Sequence, residues 1–290
     1  MAATDLISNY IRFLKRLNYS AHTVKYYSSV LKNFLIWLDV PIAGVTNAKI
    51  LEYIDYLLER KLKPKSINCH LATIRGFYDY LHHEEGIEIA NPVKLGYWLR
   101  IPRLLPRPLN DHEIKTLFDA IKSLRDQAMF RIMLRCGLRV KETANLTVNV
   151  IDFERREIAV RNGKWGRDRI VFMSSDAFQA LKAYLKSRPA FGSKRVFLVE
   201  KGLFKNSPLS VRGIQKRIEH YAGKAGIAVS CHRLRHTMAT QLLNADARPV
   251  TIQELLGHDC IRSIEGYCKV SSVKVKKDYF KAMDIILSKM

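Results

Sequence analysis

The sequence predicts a mainly α-helical protein with one small antiparallel β-sheet, arranged as an N-terminal helical domain followed by a C-terminal α+β domain. Three observations predict this. Apolar residues recur at three- and four-residue steps through most of the 290 residues. Alternation suited to strands is confined to one stretch around Asn162-Gly163. Helical periodicity lapses in a proline-rich segment near residue 100.

The first hundred residues read as consecutive amphipathic helices. After an opening helical segment, "TVKYYSSVLKNFLIWL" carries Val24, Tyr27, Leu31, Phe34, Leu35 and Leu38 on one stripe, with Ser20 or Thr23 as its cap. "TNAKILEYIDYLLERK" supplies Ile50, Ile54 and Leu57 behind a capping Thr46. In "SINCHLATIRGFYDYL" the stripe is Ile67, Leu71, Ile74, Tyr78 and Leu81, and Pro64 to Ser66 give the start signal. About four such helices with short connections make an antiparallel bundle. Four prolines and no sustained period between Asn91 and Asn110 indicate an extended linker. The expected organisation is therefore a domain at 1–91, a linker at 92–108 and a domain at 109–290 that ends in a tail at 271–290.

Past the linker, Ile114, Leu117, Phe118 and Ile121 begin a helix, and "QAMFRIMLRCGL" continues with another. "REIAVRNGKWGRDRIVFM" then gives two β-prone runs about Asn162-Gly163, a hairpin signal. Helical patterns return at 175–187, 210–222, 235–244 and 250–256, and once more in "KKDYFKAMDIILSK".

Composition narrows the partners. The chain holds 49 Lys and Arg against 27 Asp and Glu, a formal charge of +22, which favours a polyanion. Residues 1–100 contain 13 basic and 9 acidic groups and residues 101–290 contain 36 and 18, so most of the excess sits in the second domain. Five cysteines, at 69, 136, 231, 260 and 268, form no CxxC pair and suggest neither a disulfide framework nor a Cys-based zinc site. The opening "MAATDLISNYIRFLKRL" lacks a cationic n-region before an apolar run, and no stretch is long enough to cross a bilayer. A soluble, unprocessed protein of the cytoplasm is expected.

"CHRLRHTMATQLL" concentrates titratable and cationic groups at a helix start. His232 and His236 stand at i and i+4, as the zinc ligands of HExxH do, but Arg233 occupies the general-base position, Arg235 lies between the ligands and no acidic third ligand is near. Two guanidiniums beside a dication argue against zinc. A solvated helix end and a phosphate receptor are evenly matched on this stretch alone.

Other positions break the tie. "CGLRVKETANL" sets Arg139 after a Gly-Leu turn, with Glu142 three residues on to orient its guanidinium. "NGKWGR" carries Lys164 on a turn, and "LLGHDCIRSIEGYCKV" supplies His258 and then Tyr267 nine residues later. Alone, each has a structural explanation: a surface ion pair, an exposed turn lysine, a helix cap, one tyrosine among thirteen.

The ordered set "GLRVKE", "GKWGRDRIV", "HRLRHTMATQLL", "LLGH" and a Tyr nine residues after that His resembles the tyrosine recombinases, the site-specific recombinases and phage-type integrases, across essentially the whole chain. The resemblance implies an N-terminal core-binding domain and a catalytic domain that close around duplex DNA. It implies that Tyr267 is the nucleophile, that Arg139 and Arg235 clamp the scissile phosphate, that His232 and His258 bond to it and handle protons, and that Lys164 is the general acid toward the 5′-oxygen. Glu142 and His236 would support them. It further implies no metal and no cofactor, strand exchange through a 3′-phosphotyrosyl intermediate and a Holliday junction without ATP, double-stranded DNA with an inverted-repeat core site as partner, and a homotetramer, or assembly with a related recombinase, on that DNA. The compact form favours a simple Xer-like or mobile-element enzyme over the larger phage integrases. A type IB topoisomerase or a catalytically silent DNA-binding relative is the alternative. Trp165 after the hairpin lysine, Phe172 where proline is common, and Cys268-Lys269 after the tyrosine depart from the family pattern.

Overall fold

The structure, a computed structural model, describes residues 3–101, 107–161, 168–188 and 192–257. The chain divides into two compact units, Met1–Arg103 and Leu104–Met290.

The first unit is built of helices α1 (Ala3–Arg16), α2 (Ala21–Trp37), α3 (Asn47–Glu59) and α4 (Pro64–His83), with a single 3-10 turn at Ile42–Gly44 between α2 and α3. Each start has a local cause. Ser20 accepts from the Thr23 amide, Thr46 accepts from the Lys49 amide, and Pro64 sits in the first turn, where its missing N–H costs nothing. The predicted stripes become the core, with Leu31, Phe34, Ile50, Ile67, Leu71, Ile74, Tyr78 and Leu81 almost completely buried. Burying the Tyr78 ring requires a partner for its hydroxyl, which donates to the Ile42 carbonyl at 2.9 Å.

The segment expected to be linker is tied to this unit at its start. The Asn91 amide donates to the Arg75 carbonyl (2.9 Å) and to Asp79 (2.7 Å), and its oxygen accepts from the Val93 amide (3.0 Å). Val93 is 1% exposed, and Asn68 and Leu99 exchange two hydrogen bonds of 2.9 Å. Pro92 ends the helical period without freeing residues 91–99.

The second unit contains α5 (Asp111–Ala120), α6 (Leu124–Arg135), α7 (Val140–Asn145), strands β1 (Ile151–Asp152), β2 (Glu157–Val160) and β3 (Arg169–Phe172), then α8 (Ser175–Ser187), α9 (Val211–Ala225), α10 (Cys231–Asn244) and α11 (Pro249–Leu256). Asn110 and Glu113 form a capping box that starts α5. α6 is apolar around most of its circumference, with Ala128, Met129, Phe130, Ile132 and Met133 fully buried, so it runs through the core. Its buried Asp126 is held by Arg125 (2.8 Å), Arg217 (2.6 Å) and Tyr221 (3.0 Å).

The sheet is antiparallel in the order β1-β2-β3. Ile158 faces Val171, and Val160 faces Arg169. That register leaves residues 161–168 for the connection, more than a two-residue turn at Asn162-Gly163 uses. Strand alternation turns Val171 and Met173 inward and leaves Ile170 and Phe172 more than half exposed. Arg169 shares the inward face with Val171.

Asn91→Ala removes two hydrogen bonds that fasten the segment to α4 and a third, from the Val93 amide, that shapes residues 91–93. It is expected to cost about 2 kcal/mol, read by urea denaturation of the full chain.

Candidate active site

The site grows from the C-terminal end of α11. The last carbonyls of a helix have no partner within it and carry the negative end of its dipole, so they accept donors and cations from elsewhere. Three arginines from three elements take the carbonyls of three consecutive residues. Arg169 Nε of β3 donates to Leu255 (2.9 Å), Arg235 Nη2 of α10 donates to Leu256, and Arg139 Nη2, at the start of α7, donates to Gly257 (3.1 Å).

Gly257 is what lets the chain turn there. It has φ +59°, in the left-handed region. A Cβ at this position would stand 3.1 Å from Arg169 Cδ and 3.3 Å from its Nη1, so the arginine lies against the turn. Gly137, at φ +65°, does the equivalent at the α6–α7 corner, and its carbonyl accepts from Arg235 Nη1. Arg235 is 2% exposed, with two of its N–H groups committed to backbone carbonyls.

Glu142 lies between Arg139 and Arg169. Its Oε1 accepts from Arg139 Nη1 (2.8 Å) and Arg169 Nη1 (2.9 Å), and its Oε2 accepts from the Arg139 amide (2.7 Å) and Arg169 Nη2 (2.8 Å). Burial alone would raise the carboxyl pKa. The hydrogen bonds and charge of Arg169, then of Arg139, overcome it and hold the group at about 2.

α10 starts at Ser230, whose hydroxyl accepts from the Arg233 amide. The residues of "HRLRH" then separate by helical geometry. Leu234 and Arg235 point inward. Arg233 reaches the Arg107 carbonyl (2.7 Å), the Pro108 carbonyl (3.3 Å) and Glu113 (3.3 Å), and so anchors the entry to the unit. His232 and His236 meet through their Nε2 atoms at 2.6 Å. Only one proton can lie between two such nitrogens. Burial, then the charges of His232 and Arg235, lowers His236 to about 4, so it is neutral near pH 7 and can accept from His232. Burial pushes the adjacent Cys231 thiol up to about 11, which keeps it protonated.

Of the predicted site residues, Arg139, Glu142 and Arg235 are thus brought to one helix end, and His232 pairs with His236 on α10. Lys164, His258 and Tyr267 lie outside the described residues, as does the tail at 271–290. In the chain, Lys164 falls in the β2–β3 connection, and His258 directly follows Gly257. Sequence reasoning assigned nothing to Arg169. Its signal was the strand period, which sets it on the face of Val171. Among the described residues, no three His, Cys, Asp or Glu side chains are grouped as a metal site needs.

Residues 107–273 match the Phage integrase family, and residues 7–85 match its N-terminal SAM-like domain. The chain belongs to the phage integrase family of tyrosine recombinases. Within that family it is of Xer type. The tyrosine recombinase XerA of Thermococcus kodakarensis is 30% identical over 96% of this chain and 95% of its own. The tyrosine recombinase XerC of Syntrophus aciditrophicus is 30% identical over 96% and 97%. The Tn1549 transposon integrase, solved with circular intermediate DNA, matches with a TM-score of 0.76 over 92% of this chain and 95% of its own at 23% identity, a likeness of fold.

The Glu142 cluster makes stability depend on pH in this recombinase. Its folded pKa lies below the ordinary value of 4.5, so the stabilisation is complete above about 4.5 and is lost as pH falls toward about 2. The difference amounts to about 3 kcal/mol. Urea denaturation of wild type between those limits should show that loss, and Glu142→Gln should flatten it.

Proposed function

We propose that this protein is a site-specific recombinase that cuts and rejoins DNA strands through a 3′-phosphotyrosyl intermediate on Tyr267. The observation that carries this reading is the convergence of Arg139 and Arg235 on the carbonyls of residues 256 and 257, one step along the chain from His258. Guanidiniums fixed before the substrate arrives need no reorganisation when charge develops on a phosphate.

In this reading Arg139 and Arg235 hold the non-bridging oxygens of the scissile phosphate. Tyr267 attacks phosphorus, and Lys164 gives its proton to the leaving 5′-oxygen. A 5′-hydroxyl from the partner strand then attacks the phosphotyrosine and releases the phenol. Bond energy is kept in the covalent intermediate, so strand exchange through a Holliday junction proceeds without ATP. His232 and His258 donate to the phosphate and exchange protons, Glu142 orients Arg139, and His236 supports the His232 ring. Fixed cations supply the charge that a metal ion supplies in other phosphoryl transfers.

The partner is double-stranded DNA with an inverted-repeat core site. Residues 1–91 act as the core-binding domain and 109–290 as the catalytic domain, joined through 92–108. Four copies, or a mixture with a related recombinase, assemble on the DNA, with the 271–290 tail docking on a neighbouring copy. The protein works in the cytoplasm on the nucleoid. Among the described residues, no helix is long and apolar enough to cross a membrane.

The test uses a nicked duplex carrying the site that wild type selects from a random-sequence library. Wild type should form a covalent adduct in EDTA, seen as a shifted band on a denaturing gel, and Tyr267→Phe should form none. An adduct that persists in Tyr267→Phe removes the assignment. Relaxation of supercoiled DNA that lacks the site would instead favour a topoisomerase.

Affinity for the same duplex should fall by about 10³-fold or more between ~50 and ~200 mM salt, as backbone contacts release counterions. A filter-binding titration across that range would measure the slope.

A further inference from the structure

We infer that Arg169 is a positioning residue for strand cleavage: it joins β3, Glu142 and the C-terminus of α11, and so fixes the Arg139 guanidinium and the backbone leading into His258. This deepens the recombinase reading and rests on it for the role of Arg139.

Arg169 opens β3 on the inward face, with its side chain 8% exposed. A sheet residue in that setting is ordinarily apolar, because a buried cation is tolerated only when it is fully paired. Here the pairing is complete on the guanidinium's two edges. Nη1 and Nη2 meet the two oxygens of Glu142 at 2.9 and 2.8 Å, and Nε meets the Leu255 carbonyl at 2.9 Å. A planar fork makes this set of bonds, and a lysine ammonium cannot.

Everything Arg169 touches also bears on Arg139. Glu142 accepts from both the side chain and the amide of Arg139, so the carboxylate sets where α7 begins as well as where the guanidinium points. Gly257, against which the Arg169 side chain lies, gives its carbonyl to Arg139. The contacts close into a ring: Arg169 to Glu142, Glu142 to Arg139, Arg139 to Gly257, and along the backbone to Leu255 and Arg169 again. Arg169 is also the first β3 residue after the connection that contains Lys164. One side chain therefore links the three chain segments that bear Lys164, Arg139 and His258.

A structural ion pair of the same geometry would predict lost stability and nothing more. A positioning role predicts a change in the pH profile of the chemistry. The charged groups around Glu142 are Arg139 at its own helix start, Arg169 from β3 and, across the α11 C-terminus, Arg235 from α10. Among them Arg169 does most to keep the buried carboxylate ionised. Without Arg169 the carboxyl takes up a proton at higher pH, and protonated Glu142 releases Arg139.

The experiment compares wild type, Arg169→Gln, Arg169→Lys and Arg169→Gln combined with Glu142→Gln. Single-turnover adduct formation, duplex affinity on the selected nicked duplex and thermal midpoint are measured for each from about pH 5 to 9. Arg169→Gln should cut the cleavage rate by about 10- to 100-fold near neutral pH while affinity changes less than about threefold. Its rate should climb with pH where the wild-type rate does not, and the added Glu142→Gln should remove that climb. Arg169→Lys, which keeps the charge without the fork, should fold and bind as wild type does and cleave at an intermediate rate. Equal loss of binding and cleavage, an unaltered pH profile, or full cleavage by a folded Arg169→Lys would overturn the inference. A failure of the recombinase reading is separate from these: it would appear as no adduct in wild type or as an adduct in Tyr267→Phe.

Discussion

The catalytic unit depends on one helix end. α11 is eight residues long, and its last turn offers carbonyls that its own backbone cannot satisfy. Arginines from β3, α10 and α7 satisfy the carbonyls of residues 255, 256 and 257 in turn. The helix end thereby fixes Arg139 and Arg235, which would otherwise each lose up to about 2 kcal/mol of rotamer entropy on meeting a substrate, and Arg169, which holds Arg139 in place through Glu142. It is also a registration device, because a shift of α11 by one residue would hand each arginine the wrong carbonyl.

The same cluster carries a charge imbalance. Two like unit charges about 4 Å apart repel by about 4 kcal/mol at an effective dielectric of about 20. Against the three guanidiniums stand one carboxylate, Glu142, and the partial negative charge of a helix C-terminus, on the order of half an electron. The cluster remains net positive. His236 adds nothing to it near pH 7, since burial, then the charges of His232 and Arg235, keep its imidazole neutral. An anion arriving here relieves repulsion as well as gaining hydrogen bonds.

Local features were legible in the sequence and distant pairings were not. The three- and four-residue steps of α2 and α4 and the cap residues Ser20 and Thr46 could be read directly, because helix signals lie within a few residues of one another. The pairing of Arg139 with Glu142 was legible for the same reason, at i and i+3. Arg169 was not. Its partners stand 27 and 86 residues away, and an arginine in a strand reads as a solvated one. The fastening of residues 91–99 was hidden likewise, since proline spacing reports the end of helical period but not what the chain packs against. β1 and α7 are too short, at two and six residues, to show a period.

"HRLRH" illustrates how far a motif can be taken before geometry is known. As a string it holds two histidines at metal-ligand spacing and two arginines, of which only the family resemblance singles out Arg235. Helical rotation divides the arginines. Arg235, three residues after His232, is turned to the core and the α11 end, whereas Arg233 is turned to Arg107, Pro108 and Glu113. The histidines, a full turn apart, meet each other through a proton. Residue type limits the chemistry a position can do, and the face of the helix decides which position does it. In this site that decision is made by the carbonyls of α11, which draw one arginine of the pair inward and leave the other to hold the domain's edge.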